Sequence, residues 1–182
     1  MDFLNVILTS SIIASIFSAI ISYVVSKRLK VIDFKNEYYR ELVKKRLAAY
    51  QSVENFISVL RGVILDETDK KAYHVIFAFG YSEVINKQAE LMNSIANGIW
   101  VDNDTMIKLE RLNSLFFNIN SKTLKKSNEE VINIGKEYYQ KLSDLRFELE
   151  VATKKGLYDL HDVAKLLRKS KKNNEKKIIY KE

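Results

Sequence analysis

The longest apolar segment of the chain runs from Phe3 to Ser26 and consists mainly of apolar and hydroxyl-bearing residues, with no charge and no proline. As a helix rising about 1.5 Å per residue, such a segment is roughly 36 Å long, which is enough to cross a hydrocarbon core of about 30 Å. The pattern therefore predicts a single transmembrane helix. Because the cations Lys27, Arg28 and Lys30 follow at once, the positive-inside rule places the short N-terminus outside an inner membrane and the rest of the chain in the cytoplasm.

A cleaved signal peptide is the competing interpretation of this segment. It requires a basic leader before the apolar run and small residues at a cleavage site after it. Only Met1 and Asp2 precede the run, and Tyr23, Val24, Val25 and Ser26 end it. The sequence therefore favours a retained membrane anchor.

After the anchor, apolar residues recur every three or four positions, as they do on the buried faces of amphipathic helices. A bundle of four or five helices is predicted from this spacing and from capping residues. The first helix runs from the anchor to about Leu65 and is ended by Asp66 to Asp69, and the second runs from about Lys70 to Asn97, with a possible bend at Gly80 and with Gly98 as its C-cap. The third runs from Asp102 or Asp104 to between Ser121 and Lys126, the fourth from a Ser127 and Glu130 capping box to Gly156, and a shorter one from Leu157 to about Arg168. The predicted fold class is all-α, with one N-terminal transmembrane helix continuing into a cytoplasmic helical bundle.

The composition agrees with long helices around one core. The chain has five glycines and no proline, so the residues that usually break helices are nearly absent. Without cysteine it has neither a disulfide framework nor a thiolate metal site. We predict three regions: an anchor over residues 1–26, a helical bundle over 27–168 and a basic tail over 169–182.

The positive charge is concentrated in two short segments. The formal net charge of +7 is made up of −1 in residues 1–26, +3 in 27–30, +1 in 31–168 and +4 in 169–182. Both basic segments can lie against anionic lipid headgroups, and RNA is attracted by the same charge. A solvated tail is the third interpretation, and direct binding of nucleic acid is the least favoured of the three.

The serines of the predicted span lie on one side of it. At about 100° per residue, Ser11, Ser15, Ser18, Ser22 and Ser26 fall within an arc of about 80°. Small residues allow helices to approach closely in lipid, and serine hydroxyls can form hydrogen bonds between helices. We therefore expect a homo-oligomer, in which this face either packs against neighbouring helices or lines a water-filled lumen.

Aromatic and cationic residues cluster where the span is predicted to leave the membrane. Tyr23, Lys27, Arg28 and Lys30 are predicted to lie at the membrane interface, and residues 37–47 continue the same pattern. Headgroup contact or a gate region is one interpretation of 37–47. The other is a partly solvated helix with snorkelling side chains.

The sequence argues against an enzyme. His74 and His161 are the only histidines, they fall in different predicted helices, and neither has the i,i+4 histidine partner of a metalloprotease helix. The segment from Asp102 to Asp104 begins like a calcium loop but lacks the glycine and glutamate that such a loop requires, so helix capping explains it better. No phosphate loop or nucleophile elbow is present, and neither a cofactor nor a metal is expected.

In its single N-terminal span, its basic junction and the size of its helical cytoplasmic part, the chain resembles the small membrane accessory proteins of type VI-B CRISPR systems, which accompany an RNA-guided nuclease. That family is described as carrying a divergent HEPN domain, whose nuclease members have an arginine four to six residues before a histidine. Here the nearest preceding arginines are Arg61 for His74 and Arg146 for His161, so no nuclease residue is carried over. The resemblance implies an antiviral defence protein that assembles in the membrane and changes its permeability.

Three functional hypotheses follow from the sequence. The first is a self-assembling inner-membrane protein whose N-terminal helices surround a narrow pore. The second is a membrane tether or scaffold that recruits a cytoplasmic partner through its helical bundle and basic tail. The third and weakest is a membrane-bound ribonuclease that uses His161.

Overall fold

The structure is a computed structural model that describes the backbone of residues 2–162 and the side chains of residues 14–162. Three predictions therefore concern parts outside the described residues. These are the role of the Ser11 side chain, the continuation of the fifth helix beyond residue 162, and the basic tail over residues 169–182.

Four α-helices make up most of the described chain: α1 (Asp2–Arg61), α2 (Tyr81–Ala96), α3 (Asn103–Thr123) and α4 (Asn128–Tyr158). The all-α class is confirmed, with one antiparallel hairpin as an addition to it. Its two strands, β1 (Val63–Leu65) and β2 (Ala72–His74), pair Val63 with His74 and Leu65 with Ala72. Among the residues described, no helix is both long enough and apolar enough to cross a membrane.

The chain divides into two compact units, Met1–Leu42 and Val43–Glu182, and α1 contributes residues to both. In the first unit, every side chain from Ala14 to Glu41 is exposed. The second unit contains the hydrophobic core. Its largest fully buried apolar side chains come from the four helices and from the 3₁₀ segment Val75–Phe79: Tyr50, Ile57, Leu60, Ile76, Phe77, Leu91, Leu109, Leu112, Phe116, Ile119 and Leu142.

Two predicted helix starts are confirmed in detail. The side chain of Asp102 accepts hydrogen bonds from the backbone N–H groups of Asp104 and Thr105 and so caps α3. Ser127 and Glu130 form the predicted capping box at the start of α4. Both caps satisfy backbone donors that have no partner inside the helix.

The predicted end of the first helix and the start of the second are wrong, because a hairpin occupies residues 63–74. α1 ends at Arg61, and the carbonyl of Gly62 accepts the N–H of Val75 at 2.9 Å, which turns the chain out of the helix. Within the hairpin turn, Asp66 and Asp69 form ion pairs with Lys136 of α4 at 2.7 and 3.0 Å. The acidic turn that was expected to end a helix therefore fastens the hairpin to α4.

Two glycines act differently from the prediction. Gly80 has a φ of 78°, which favours glycine, and it separates the short 3₁₀ segment Val75–Phe79 from the start of α2 instead of bending one long helix. Gly156 does not end α4, which continues to Tyr158. Instead it is buried where α4 approaches Tyr50 and Asp102, and a Cβ there would overlap both side chains.

Candidate functional surfaces

The part of α1 between Ala14 and Glu41 has only exposed side chains, and many of them are large and apolar. The exposed large apolar residues from 16 to 34 are Ile16, Phe17, Ile20, Ile21, Tyr23, Val24, Val25, Leu29, Val31, Ile32 and Phe34. Monomeric soluble proteins rarely expose a continuous apolar patch larger than a few hundred Å². This surface is therefore suited to contact with lipid or with other helices.

The side chains of four of the five predicted serines are among those described. Ser15, Ser18, Ser22 and Ser26 are all exposed, and because the segment is helical they share one side of α1. Both interpretations of the serine face stay predictions.

The predicted interface residues are also exposed. Tyr23 has 69% of its surface accessible, and the cations Lys27, Arg28 and Lys30 are exposed beside the apolar Leu29. Long cationic side chains in this setting can place their charge in a headgroup region while their methylenes lie along apolar surface. Their placement at a membrane interface stays a prediction.

Arg46 departs from both interpretations of residues 37–47, because it is buried with only 2% of its surface accessible. Its guanidinium donates to the backbone carbonyls of Trp100 at 3.4 Å, Asp159 at 3.1 Å and Leu160. The cation thus binds carbonyls at the C-terminal end of α4, where the helix dipole places partial negative charge. A residue expected at a headgroup or in solvent instead joins α1 to the end of α4, and we call this contact the arginine clamp.

A second polar group lies one turn further along α1. Tyr50 donates to the Asp102 carboxylate at 2.8 Å and accepts the N–H of Asp102 at 3.0 Å, and Thr105 donates to the same carboxylate at 2.7 Å. Burial, aided by the hydrogen bond to Asp102, raises the pKa of Tyr50 to about 12. Burial would also raise the pKa of Asp102, but the hydrogen bonds from Thr105 and Tyr50 outweigh it and hold that pKa below its usual range. The pair is therefore a neutral phenol bound to a carboxylate, and it joins α1 to the start of α3.

Sequence reasoning missed the clamp because Arg46 stands in a run of exposed cations. One signal was present: Arg46 lies three, four and seven residues before the core residues Ala49, Tyr50 and Val53. That spacing puts an arginine on the buried face of a helix. The neighbouring Lys45 also takes part in the contact, with its ammonium 5.2 Å from the centre of the Trp100 ring.

His74 and His161 are not brought together. His74 is buried at the end of β2, where its Nε2 lies 3.2 Å from the Ser143 hydroxyl and its ring centre 5.2 Å from that of Tyr139. His161 is exposed in the turn after α4. Ser143 and the end of α4 at Tyr158 are 15 residues apart, or about 22 Å along a helix. Among the described residues, no group of three or more histidine, aspartate or glutamate side chains is placed to hold a metal ion.

The buried His74 makes the stability of the bundle depend on pH. Burial lowers its pKa below the ordinary value of 6.5, so the unfolded chain takes up a proton before the folded chain does. We expect the free energy of unfolding to be constant with respect to this group above about pH 6.5 and to fall as the pH drops below it. Denaturant titrations of the full chain in mild detergent between pH 7.5 and pH 5, reported by circular dichroism, measure this slope.

The two histidines provide a matched control. His74→Phe keeps a planar ring and removes the titrating group, so its stability should vary less between pH 6.5 and pH 5 than that of the parent. His161→Gln also removes one histidine but keeps the buried His74, and it is measured beside His74→Phe as the comparison variant. Equal slopes for the parent and His74→Phe would contradict the role given to His74.

No family model, no curated protein and no solved structure matches this chain.

Proposed function

We propose that this protein is an oligomeric inner-membrane protein whose N-terminal helices surround a narrow pore, and that it acts in antiviral defence as an effector or as an accessory to an RNA-guided nuclease. The bilayer and other copies of the chain are its partners in this proposal. The N-terminus lies outside and the bundle in the cytoplasm. The protein is not an enzyme, and direct contact with nucleic acid is not part of its action.

The observation that carries the proposal is the apolar surface of α1. The sequence from Phe3 to Ser26 has no charge, and the large apolar side chains described between Ile16 and Phe34 are exposed. In water this exposed apolar surface would favour aggregation, whereas transfer of the same surface from water into lipid lowers its free energy. The basic cluster from Lys27 to Lys30 supports the inside-positive orientation.

The serine face supports assembly within the membrane. Lipid tails are as apolar as the isoleucines and valines of α1, so the hydrophobic effect does not drive helices together there. Close approach at small side chains and hydrogen bonds between hydroxyls do. A ring of such helices places a hydroxyl-lined surface toward its centre and apolar side chains toward lipid.

The mass of the intact assembly tests this proposal first. The full chain is purified in mild detergent and reconstituted in lipid vesicles that contain a fluorescent dye, and mass photometry is combined with dye and ion release. We expect a closed oligomer of several copies that releases ions and retains large dyes. A monomer or dimer without release would overturn the pore.

Replacing the anchor distinguishes the pore hypothesis from the second hypothesis, in which the protein is a membrane tether. A chain in which residues 3–26 are replaced by a polyleucine span keeps a membrane anchor and loses the serine face. Under the proposal this variant inserts but releases no ions and gives no protection against phage. Full protection by the variant would identify a tether whose anchor is interchangeable.

A further inference from the structure

The strand β1 is the outer strand of the hairpin. Within the described part of the chain it pairs with β2 alone, and β2 in turn packs on α4. Val63 and Leu65 of β1 are 46% and 59% exposed, whereas Tyr73 and His74 of β2 are buried. The edge of β1 that lies away from β2 therefore faces solvent.

The backbone of β1 has groups to offer at this edge. The N–H of Val75 donates to the Gly62 carbonyl at 2.9 Å, which fixes where the hydrogen-bonded pairs of the hairpin fall. Such pairs alternate along an antiparallel ladder, so the N–H and C=O groups of Val63 and Leu65 point away from β2. An exposed row of this kind is a template for a further strand.

The basic tail contains one segment suited to such an edge. The only apolar residues over 169–182 are Ile178, Ile179 and Tyr180, which are consecutive and belong to the β-branched and aromatic types that favour strands. Lysines flank these three residues on both sides. The segment lies outside the described residues.

We propose that residues 176–182 add to the hairpin of their own chain as a third strand, antiparallel to β1. Three apolar residues of the tail then face the three apolar residues of β1. The facing pairs are Ile178 with Leu65, Ile179 with Ile64, and Tyr180 with Val63. Apolar pairs across neighbouring strands are the contacts that stabilise a sheet.

The same register brings opposite charges together at both ends of the added strand. The facing pairs are Lys176 with Glu67, Lys177 with Asp66, and Glu182 with Arg61. Asp66 and Arg61 also form ion pairs with α4, whereas Glu67 is exposed in the turn. The lysines of the turn, Lys70 and Lys71, are in line with β2, which is the strand farther from the tail.

Other alignments pair less well. A parallel strand with the same apolar contacts would place Glu182 beside Glu67 and Lys176 beside Arg61, and like charges directly opposite one another are destabilising. A shift of the antiparallel strand by one residue in either direction would place a charged residue beside an apolar one. The antiparallel register therefore combines the apolar and the ionic pairs.

The tail is long enough to reach β1 of its own chain. Lys136, which pairs with Asp66 next to β1, lies 22 residues before Tyr158, or about 33 Å along α4. The 16 residues from Asp162 to Ile178 span up to about 53 Å when extended. A tethered segment also meets the edge at a higher effective concentration than a segment of another molecule does.

Disulfide trapping tests the register, because the chain has no cysteine of its own. Leu65→Cys and Ile178→Cys are introduced together into the full chain, which is oxidised with copper phenanthroline in mild detergent. Facing residues of an antiparallel pair have Cα atoms about 4.5–5.5 Å apart, which suits a disulfide. We expect a disulfide within one chain, seen on a non-reducing gel as a monomer that migrates faster than the reduced one.

The matched control moves one thiol by one residue. In Leu65→Cys with Ile179→Cys, the second thiol lies on the opposite face of the added strand, so the disulfide should form far more slowly. Leu65 is exposed, so we expect both variants to fold as the parent does, which circular dichroism checks. Equal rates of oxidation for the two variants would overturn the register.

Hydrogen exchange tests the backbone pairing without a thiol. The N–H groups of Val63 and Leu65 should be protected in the parent, and Ile178→Pro should abolish that protection because proline donates no hydrogen bond to β1. Asn173→Pro, in the tail but outside the added strand, should leave the protection unchanged. Rapid exchange of both N–H groups in the parent would overturn the third strand.

The remaining outcomes identify a different occupant of the edge. Covalent dimers from Leu65→Cys alone would show that β1 of a second copy covers it, and covalent dimers from the double variant only would assign it to the tail of a neighbouring copy. Either result overturns pairing within one chain. None of these measurements depends on the pore, because they concern the bundle and the tail, so the proposed function and the third strand can fail separately.

Discussion

Replacing Arg46 by methionine is expected to lower the free energy of unfolding of the bundle by about 3 kcal/mol, and its melting temperature by roughly 10 °C. Methionine fills much of the space of the arginine stem but donates no hydrogen bond. The carbonyls of Trp100, Asp159 and Leu160 would then lose the guanidinium that they bind. A buried polar group without a partner costs about 1–3 kcal/mol, and the removal of a buried arginine charge recovers part of that loss.

Thermal and denaturant unfolding of the full chain in mild detergent, followed by circular dichroism, measures the effect. Arg61→Met is the matched control, because Arg61 is also on α1 and also contacts α4, through an ion pair with Glu150 at 2.9 Å, but its side chain is half exposed. Exposed ion pairs contribute about 0–1 kcal/mol, so this variant should be nearly as stable as the parent.

A second substitution tests whether stability depends on the several N–H donors of the Arg46 guanidinium or only on its charge. Arg46→Lys keeps the positive charge but cannot reach three carbonyls in different directions, so we expect it to be intermediate in stability. If Arg46→Met and Arg61→Met lost the same small amount of stability, the clamp would not stabilise the bundle. Equal stability of Arg46→Lys and the parent would show that charge alone suffices.

The helices of the second unit were largely predictable, because local signals determine their ends. The capping box of Ser127 and Glu130 and the side-chain cap of Asp102 act within four residues, so the sequence contains all the information that they need. The apolar spacing of α3 and α4 is set by the same helical period that buries Leu109, Leu112, Leu142 and Leu149.

The hairpin was not predictable by the same means. Each strand has only three residues, which is too short for an alternating pattern to be distinguished from helical spacing. What stabilises it is distant in sequence: Lys136 of α4 pairs with Asp66 and Asp69, and His74 packs beside Ser143. Contacts of this kind exist only after the bundle has formed.

The candidate functional residues also divide into those that local sequence patterns predict and those that depend on contacts between distant parts of the chain. The serine face and the interface cations are periodic or adjacent in sequence, so they could be predicted before any fold was known. The arginine clamp depends on which helices meet, because the carbonyls that Arg46 binds belong to Trp100, Asp159 and Leu160.

Replacing Ser15 and Ser18 together by leucine is expected to abolish ion release while leaving membrane insertion intact. Leucine inserts into a bilayer more favourably than serine, so the anchor should be retained. Each substitution adds a branched side chain to the narrow face and removes a hydroxyl. Under the proposed function, the substitutions would close a lumen if the serines line it, or would separate the helices if they pack at that face.

The opposite side of α1 provides the matched control, since Ile16 and Ile20 lie about 120–160° from the centre of the serine face. Ile16→Leu with Ile20→Leu changes the same number of positions in the same turns, and this variant should release ions as the parent does.

The mass of the assembly then distinguishes the two possible roles of the serines. An oligomer of unchanged mass that no longer conducts indicates a lined lumen, whereas loss of the oligomer indicates helix packing. Unchanged ion release by the serine variant would exclude both roles and remove this face from the pore.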